Sequence, residues 1–218
     1  MRELAVRRGA RVAAAVFVLA AVQCVAGAAG AASSPKVPDG YETTRLKTAA
    51  LVLTLPDSWL KLDPRNPDVL KELAKTAKRN PEFADLITQF KQQRGSIKLW
   101  AIDTKSTTYS TNLIAAPANV PTSALDEPAQ IEDALRSNLP SARDVHAETT
   151  SLPGADEVLR LTYSIDVAAA DGRQVTAYGT MFFVPTPKGV MHLTYSSDTP
   201  PDQDDVLDTF SRTLRVLG

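Results

Sequence analysis

The stretch Leu159-Arg160-Leu161-Thr162-Tyr163-Ser164-Ile165-Asp166-Val167 alternates apolar and polar side chains without a break. Successive side chains of a strand point to opposite faces, so this segment is predicted as an antiparallel strand with one core face. Downstream, Ala168 to Gln174 contains Asp171-Gly172, a hairpin signal. Val175 to Val184 then returns as a second strand carrying Tyr178, Met181, Phe182 and Phe183. Pro185-Thr186-Pro187-Lys188-Gly189 turns again, and Val190 to Ser196 is the third strand. Its Met191, Leu193 and Tyr195 share one face, and Val190, His192 and Thr194 the other. Connections this short make the three strands a meander.

The same reading extends upstream. Val145 to Leu152 is a candidate strand closed by a Pro153-Gly154 turn. Ile97–Ile102 and Tyr109–Ala116 form a pair across a polar turn, and Ala49–Leu55 is an apolar strand ended by Pro56-Asp57-Ser58. Trp59, Leu60 and Leu62 give a hydrophobic stop. Helices are predicted where the period changes to 3.6. Asn66-Pro67 and Asn80-Pro81 open two in series, with stripes Val69, Leu70, Leu73, Ala77 and Phe83, Leu86, Ile87, Phe90, ending at Gly95. Asp126-Glu127-Pro128 opens a third, with Ile131, Ala134 and Leu135 on its apolar side and Pro140 as its stop. A last one follows Pro200-Pro201-Asp202, with Val206, Leu207, Phe210, Leu214 and Leu217 as its buried stripe.

Residues 1–31 read differently. Arg2, Arg7, Arg8 and Arg11 form a basic head, Val12 to Val22 is apolar, and Ala26-Gly27-Ala28 and Ala29-Gly30-Ala31 are small-residue cleavage sites. This is the order of a secretory signal peptide. The expected organisation is therefore 1–31 signal peptide, 32–40 linker and 41–218 a single domain, exported to the cell surface or beyond. Cys24 is a candidate lipidation site, although Gln23 stands where a lipobox needs a small residue. Membrane attachment requires that lipid or an uncleaved leader. Without residues 1–31 the chain carries 20 basic and 24 acidic side chains, and this acidic balance argues against a nucleic-acid partner. Hydrophobic content of 44% with 22% charged residues is globular, and a single Cys excludes a disulfide framework or a cysteine zinc ribbon.

Catalytic signatures are missing. There is no G-x-S-x-G elbow, no phosphate-binding loop, no H-E-x-x-H and no G-x-G-x-x-G. A serine nucleophile would need His146 or His192, the only two histidines, as its base. Asp202, Asp204, Asp205 and Asp208 lack the glycine and twelfth-position acid of a calcium loop, and read as helix-start acids. Lys71, Lys75, Lys78 and Arg79 read as a solvated helix face, with an anionic lipid or acidic partner as the alternative. The meander suggests one ligand surface: Arg160, Thr162 and Ser164 on a sheet face with Thr176, Tyr178 and Thr180, and with His192 and Thr194. Arg160, Tyr178 and His192 are the candidate binding residues. No catalytic residue, metal or cofactor is expected.

The apolar strand running into Leu55-Pro56-Asp57-Ser58-Trp59 resembles the P-x-x-W entry of the PsbP-like superfamily. His192-Leu193-Thr194-Tyr195, a Pro/Asp turn and a helix with Val206, Phe210 and Leu214 add to the resemblance. The superfamily joins the extrinsic photosystem II protein, a yeast Ran-binding protein and Lpq-type lipoproteins of actinobacteria; the leader and Ala-rich composition fit the last group best. The resemblance implies an α+β fold, an α/β/α sandwich whose central, mainly antiparallel sheet is flanked by helices. It also implies a binding role without shared catalytic residues. The expected function is an exported, non-enzymatic binding or accessory protein of the bacterial cell envelope, with an envelope or extracellular protein as partner. The alternatives are a carrier holding a small ligand or lipid between sheet and helix, and a hydrolase with a site near His192.

Overall fold

The computed structural model describes residues 36–63, 66, 68, 69, 71, 95–106, 109–169 and 172–217. The expected signal peptide with Cys24, and the two helices expected in series between Asn66 and Gly95 apart from Asn66, Asp68, Val69 and Lys71, lie outside the described residues. Among the described residues there are ten strands in two antiparallel sheets and two α-helices, a mostly β fold.

The chain runs β1 (Tyr41–Leu46), β2 (Leu51–Pro56), β3 (Leu60–Leu62), β4 (Leu99–Ile102) and β5 (Asn112–Pro117). It continues through α1 (Pro128–Asn138), β6 (Arg143–Leu152), β7 (Ala155–Ala168), β8 (Gln174–Thr186), β9 (Gly189–Ser197), α2 (Asp205–Thr213) and β10 (Arg215–Val216). The large sheet has the order β3-β4-β5-β9-β8-β7-β6, and the small one β1-β2-β10. The expected meander is β7-β8-β9. The Pro153-Gly154 turn joins Leu152 to its partner Ala155, with Gly154 at φ +81, a conformation glycine adopts without a Cβ penalty.

Both faces of the large sheet are buried near its centre, each by a different layer. Register across the meander defines them: Arg160 pairs with Phe182, which pairs with Leu193, whereas Leu159 pairs with Phe183, which pairs with His192. On the His192 face, Leu159, Leu161, Met181 and Phe183 pack against Leu125 and against Leu135 of α1. Towards β3 on the same face, Trp100 and Ile102 pack with Leu62, Val69 and Ile97. On the Arg160 face, Phe182, Leu193 and Tyr195 pack against Leu51, Leu53 and Leu55 of β2 and against Leu207 and Phe210 of α2. The Phe182 and Phe210 rings meet at 5.7 Å, and Trp59 stacks over Tyr195 at 6.3 Å. Burying each such ring contributes about 2–3 kcal/mol before entropy is counted.

Two local expectations need correction. Leu60–Leu62 is not only a hydrophobic stop; it pairs with β4 as the edge strand of the large sheet. The last helix also ends sooner than its apolar stripe. Leu214 is fully buried but extended (φ −59°, ψ 130°), and Arg215 and Val216 pair with Val52 and Leu51 of β2. The hydrophobic spacing is the same for a helix end and for a return to β2, so the stripe alone cannot locate the stop.

Candidate functional site

A groove of about 880 Å³ opens on the Arg160 face, where the small sheet no longer covers β6 and β7. Its floor comes from side chains that the strand period turns to this face: His146, Glu148 and Thr150 of β6, and Arg160 and Thr162 of β7. Its wall is the segment from Pro201 to Asp205 and the exposed side of α2 with Asp208, Ser211 and Arg212.

The wall is anchored from below. Asp204 is 7% exposed and caps α2: its Oδ1 accepts from the backbone N–H of Val206 and of Leu207, both at 3.0 Å. The buried Tyr195 hydroxyl donates to Asp204 Oδ2 at 2.7 Å, joining the helix start to β9. Burial and the neighbouring Asp204 carboxylate push the Tyr195 phenol well above its ordinary pKa, so it stays a donor. Asp205 and Asp208 stand in the first turn, where the helix dipole favours acids. Reading the acid cluster as helix-start residues therefore fits their positions, and one of the four is also a buried structural anchor.

The groove holds one long ion pair and one close one. Arg160 Nη1 lies 3.5 Å from Glu148 Oε1, and Arg212 Nη2 lies 2.7 Å from Asp208 Oδ2. Asp202 and Asp205 are exposed and form no ion pair among the described residues. The Arg160 Nε atom is buried without a hydrogen-bond partner among the described residues. The exposed end of this guanidinium can take an acceptor such as a carbonyl or carboxylate oxygen, and the acids around it can take cationic groups. Among the described residues, no group of three or more His, Cys, Asp or Glu side chains is placed to hold a metal ion.

The three candidate binding residues do not converge. Arg160 lies in the groove. Tyr178 shares its sheet face but pairs with Ser164 and Ser197, beyond the groove. His192 and Thr194 are on the opposite face, which corrects the expected shared surface. The two-residue turn of Pro187 and Lys188 pairs Thr186 with Gly189, so even-numbered residues of β8 face the same way as odd-numbered residues of β9. His192 stacks on Phe183 at 5.1 Å, and its Nε2 lies 2.7 Å from Thr194 Oγ1. Burial lowers the His192 pKa to about 4, which keeps the ring neutral. His146 does line the groove, 3.8 Å from Glu132 at its Nδ1. The sequence reading missed Glu148 and Arg212. Glu148 was legible in principle, because it sits directly opposite Arg160. Arg212 was not, because only the packing of α2 brings it to β6. Lys71 of the expected basic face pairs with Asp68 at 2.8 Å; Lys75, Lys78 and Arg79 lie outside the described residues.

Among the described residues, no helix is long and apolar enough to cross a membrane. Compared with known proteins, the chain matches no family model and no curated protein.

Proposed function

We propose that this chain is an exported, non-enzymatic binding or accessory protein of the bacterial cell envelope, built as a PsbP-like α/β/α sandwich, and that it recognises an envelope or extracellular protein through the groove beside Arg160. The leader at residues 1–31 and the Leu55-Pro56-Asp57-Ser58-Trp59 entry support this reading, as does a central antiparallel sheet with α1 on one face and α2 on the other. The observation that carries the binding role is the groove itself: an open trough floored by strands of the large sheet and lined by charged side chains, with the Arg160 guanidinium partly exposed in it. The preference for binding over hydrolysis rests on His192, which packs against Phe183 on the face away from the groove.

The test is site-specific photo-crosslinking in the bacterial host, with a benzophenone side chain at Thr150 on the groove floor or at Lys188 in the exposed β8–β9 turn. The expected result is one envelope protein captured from position 150, not from 188, and lost when Arg160→Glu is added. Capture of a lipid or other small molecule from position 150 would favour the carrier alternative. Equal capture at both positions, or none, would overturn the groove as the recognition surface.

A further inference from the structure

We propose that the outer edge of β6, from Ala147 to Ser151, accepts an added strand from an extended, basic polypeptide segment; this rests on reading the adjoining groove as the recognition surface. Among the described residues, β6 ends the seven-stranded sheet and pairs only with β7. In an antiparallel pair, alternate residues point both backbone groups away from the partner strand. Here that set is identified directly. The Ala147 N–H donates to Glu132 Oε1 of α1 at 2.6 Å, and the Val145 carbonyl accepts from Arg136 Nη2 at 2.9 Å. Glu132 and Arg136 are themselves paired at 2.8 Å. This bracket stands where the next strand would be, and it covers Val145 and the N–H of Ala147 only.

The register is unbroken from His146 to Thr150, so Thr149 also turns its N–H and carbonyl outward. Thr149 and Ser151 are exposed, and no side chain among the described residues takes the outward groups of Thr149. Exposed edges are normally blunted by bulges, charges or cover. β6 has an irregularity at Arg143/His146, the bracket after it, and a second irregularity at Thr150/Leu152. Between these guards one window around Thr149 is left open among the described residues, and an exposed backbone edge is what strand addition uses.

Charge selects the occupant. The window borders the groove floor at His146, Glu148 and Thr150. Besides the buried Asp204, whose oxygens are taken by Tyr195 and the start of α2, four exposed carboxylates line the groove, at Glu148, Asp202, Asp205 and Asp208, against two guanidiniums, at Arg160 and Arg212, each already beside an acid. Every second side chain of an added strand would lie on this face, next to Glu148. A segment with lysine or arginine at alternate positions matches that pattern.

The probe is a fluorescent octapeptide with lysine at every second position and threonine or valine between, titrated by anisotropy against the protein lacking residues 1–31. The expected result is salt-sensitive binding accompanied by slowed hydrogen exchange of the Thr149 amide. Thr149→Pro removes one outward N–H, a change edge strands tolerate, and should weaken binding about tenfold; Glu148→Lys should weaken it about as much. Glu132→Ala frees the Ala147 N–H and should tighten binding about threefold. Absence of binding, or binding that leaves Thr149 exchange unchanged and survives Thr149→Pro, would overturn strand addition. The exchange readout in the unaltered sequence needs no variant to fold. Loss of the crosslink from position 150 would instead remove the groove reading, so the two failures are distinct.

Discussion

Asp204→Ala is the perturbation with the clearest structural cost. The substitution removes the acceptor for the Val206 and Leu207 N–H groups, and loss of such a cap costs about 1 kcal/mol. It also takes the carboxylate acceptor from the hydroxyl of Tyr195, a residue 2% exposed, leaving Ser197 as its side-chain neighbour, and an orphaned buried donor costs about 1–3 kcal/mol. The expected loss is therefore about 2–4 kcal/mol, a large share of the 5–15 kcal/mol typical of a domain. Asp204→Asn keeps an acceptor for the cap and should cost about 1 kcal/mol or less. Tyr195→Phe removes the donor with its orphan problem, so the double variant should recover about 1–2 kcal/mol relative to additivity. Urea unfolding followed by tryptophan fluorescence suits the measurement, because Trp59 stacks over the Tyr195 ring. A loss below about 1 kcal/mol for Asp204→Ala at unchanged denaturant slope, or an additive cycle, would refute the anchoring of α2 through this pair.

Three further outcomes are expected. Gly179→Ala would place a Cβ inside the Tyr163 ring, so it should cost at least about 1–3 kcal/mol; an unchanged melting temperature would contradict that packing. The His192 pKa falls from 6.5 unfolded to about 4 folded, so its stabilising effect is complete above pH 6.5 and is lost as pH falls towards 4, by about 3 kcal/mol in all; His192→Gln should flatten that part of the urea-stability profile, and an unchanged profile would place the ring in solvent. The export proposed above predicts a mature chain whose intact mass corresponds to a start after Ala28 or Ala31, without Cys24, whereas a diacylglyceryl mass on Cys24 would make the protein a lipoprotein.

The strands were legible because each has one clean period: β7 reads directly from Leu159 to Val167, and β9 from Val190 to Ser196. What the sequence hid was that the two strands bury their apolar sets on opposite faces. Leu159 and Leu161 face α1, while Leu193 and Tyr195 face β2 and α2. A single core face, assumed for the whole meander, carries His192 to the wrong side; the parity of the β8–β9 turn carries it back. Arg160 was found because a charged residue mid-strand is conspicuous, and Glu148 follows once the β6–β7 register is known. The role of Asp204 was half visible: the helix-start acids were plain, but nothing local shows that Tyr195, nine residues earlier, reaches one of them. The contribution of α2 to the groove is tertiary and has no periodic signature.

The most direct measurement of the proposed recognition beside Arg160 is retention of the proposed envelope partner by three variants in the native host: Arg160→Glu and Asp208→Arg in the groove, and His192→Ala on the opposite face. Recognition through the groove predicts that the first two lose the crosslinked envelope protein while the third keeps it. Retention by both groove variants with loss in His192→Ala would contradict it and move the site to the other side of the sheet.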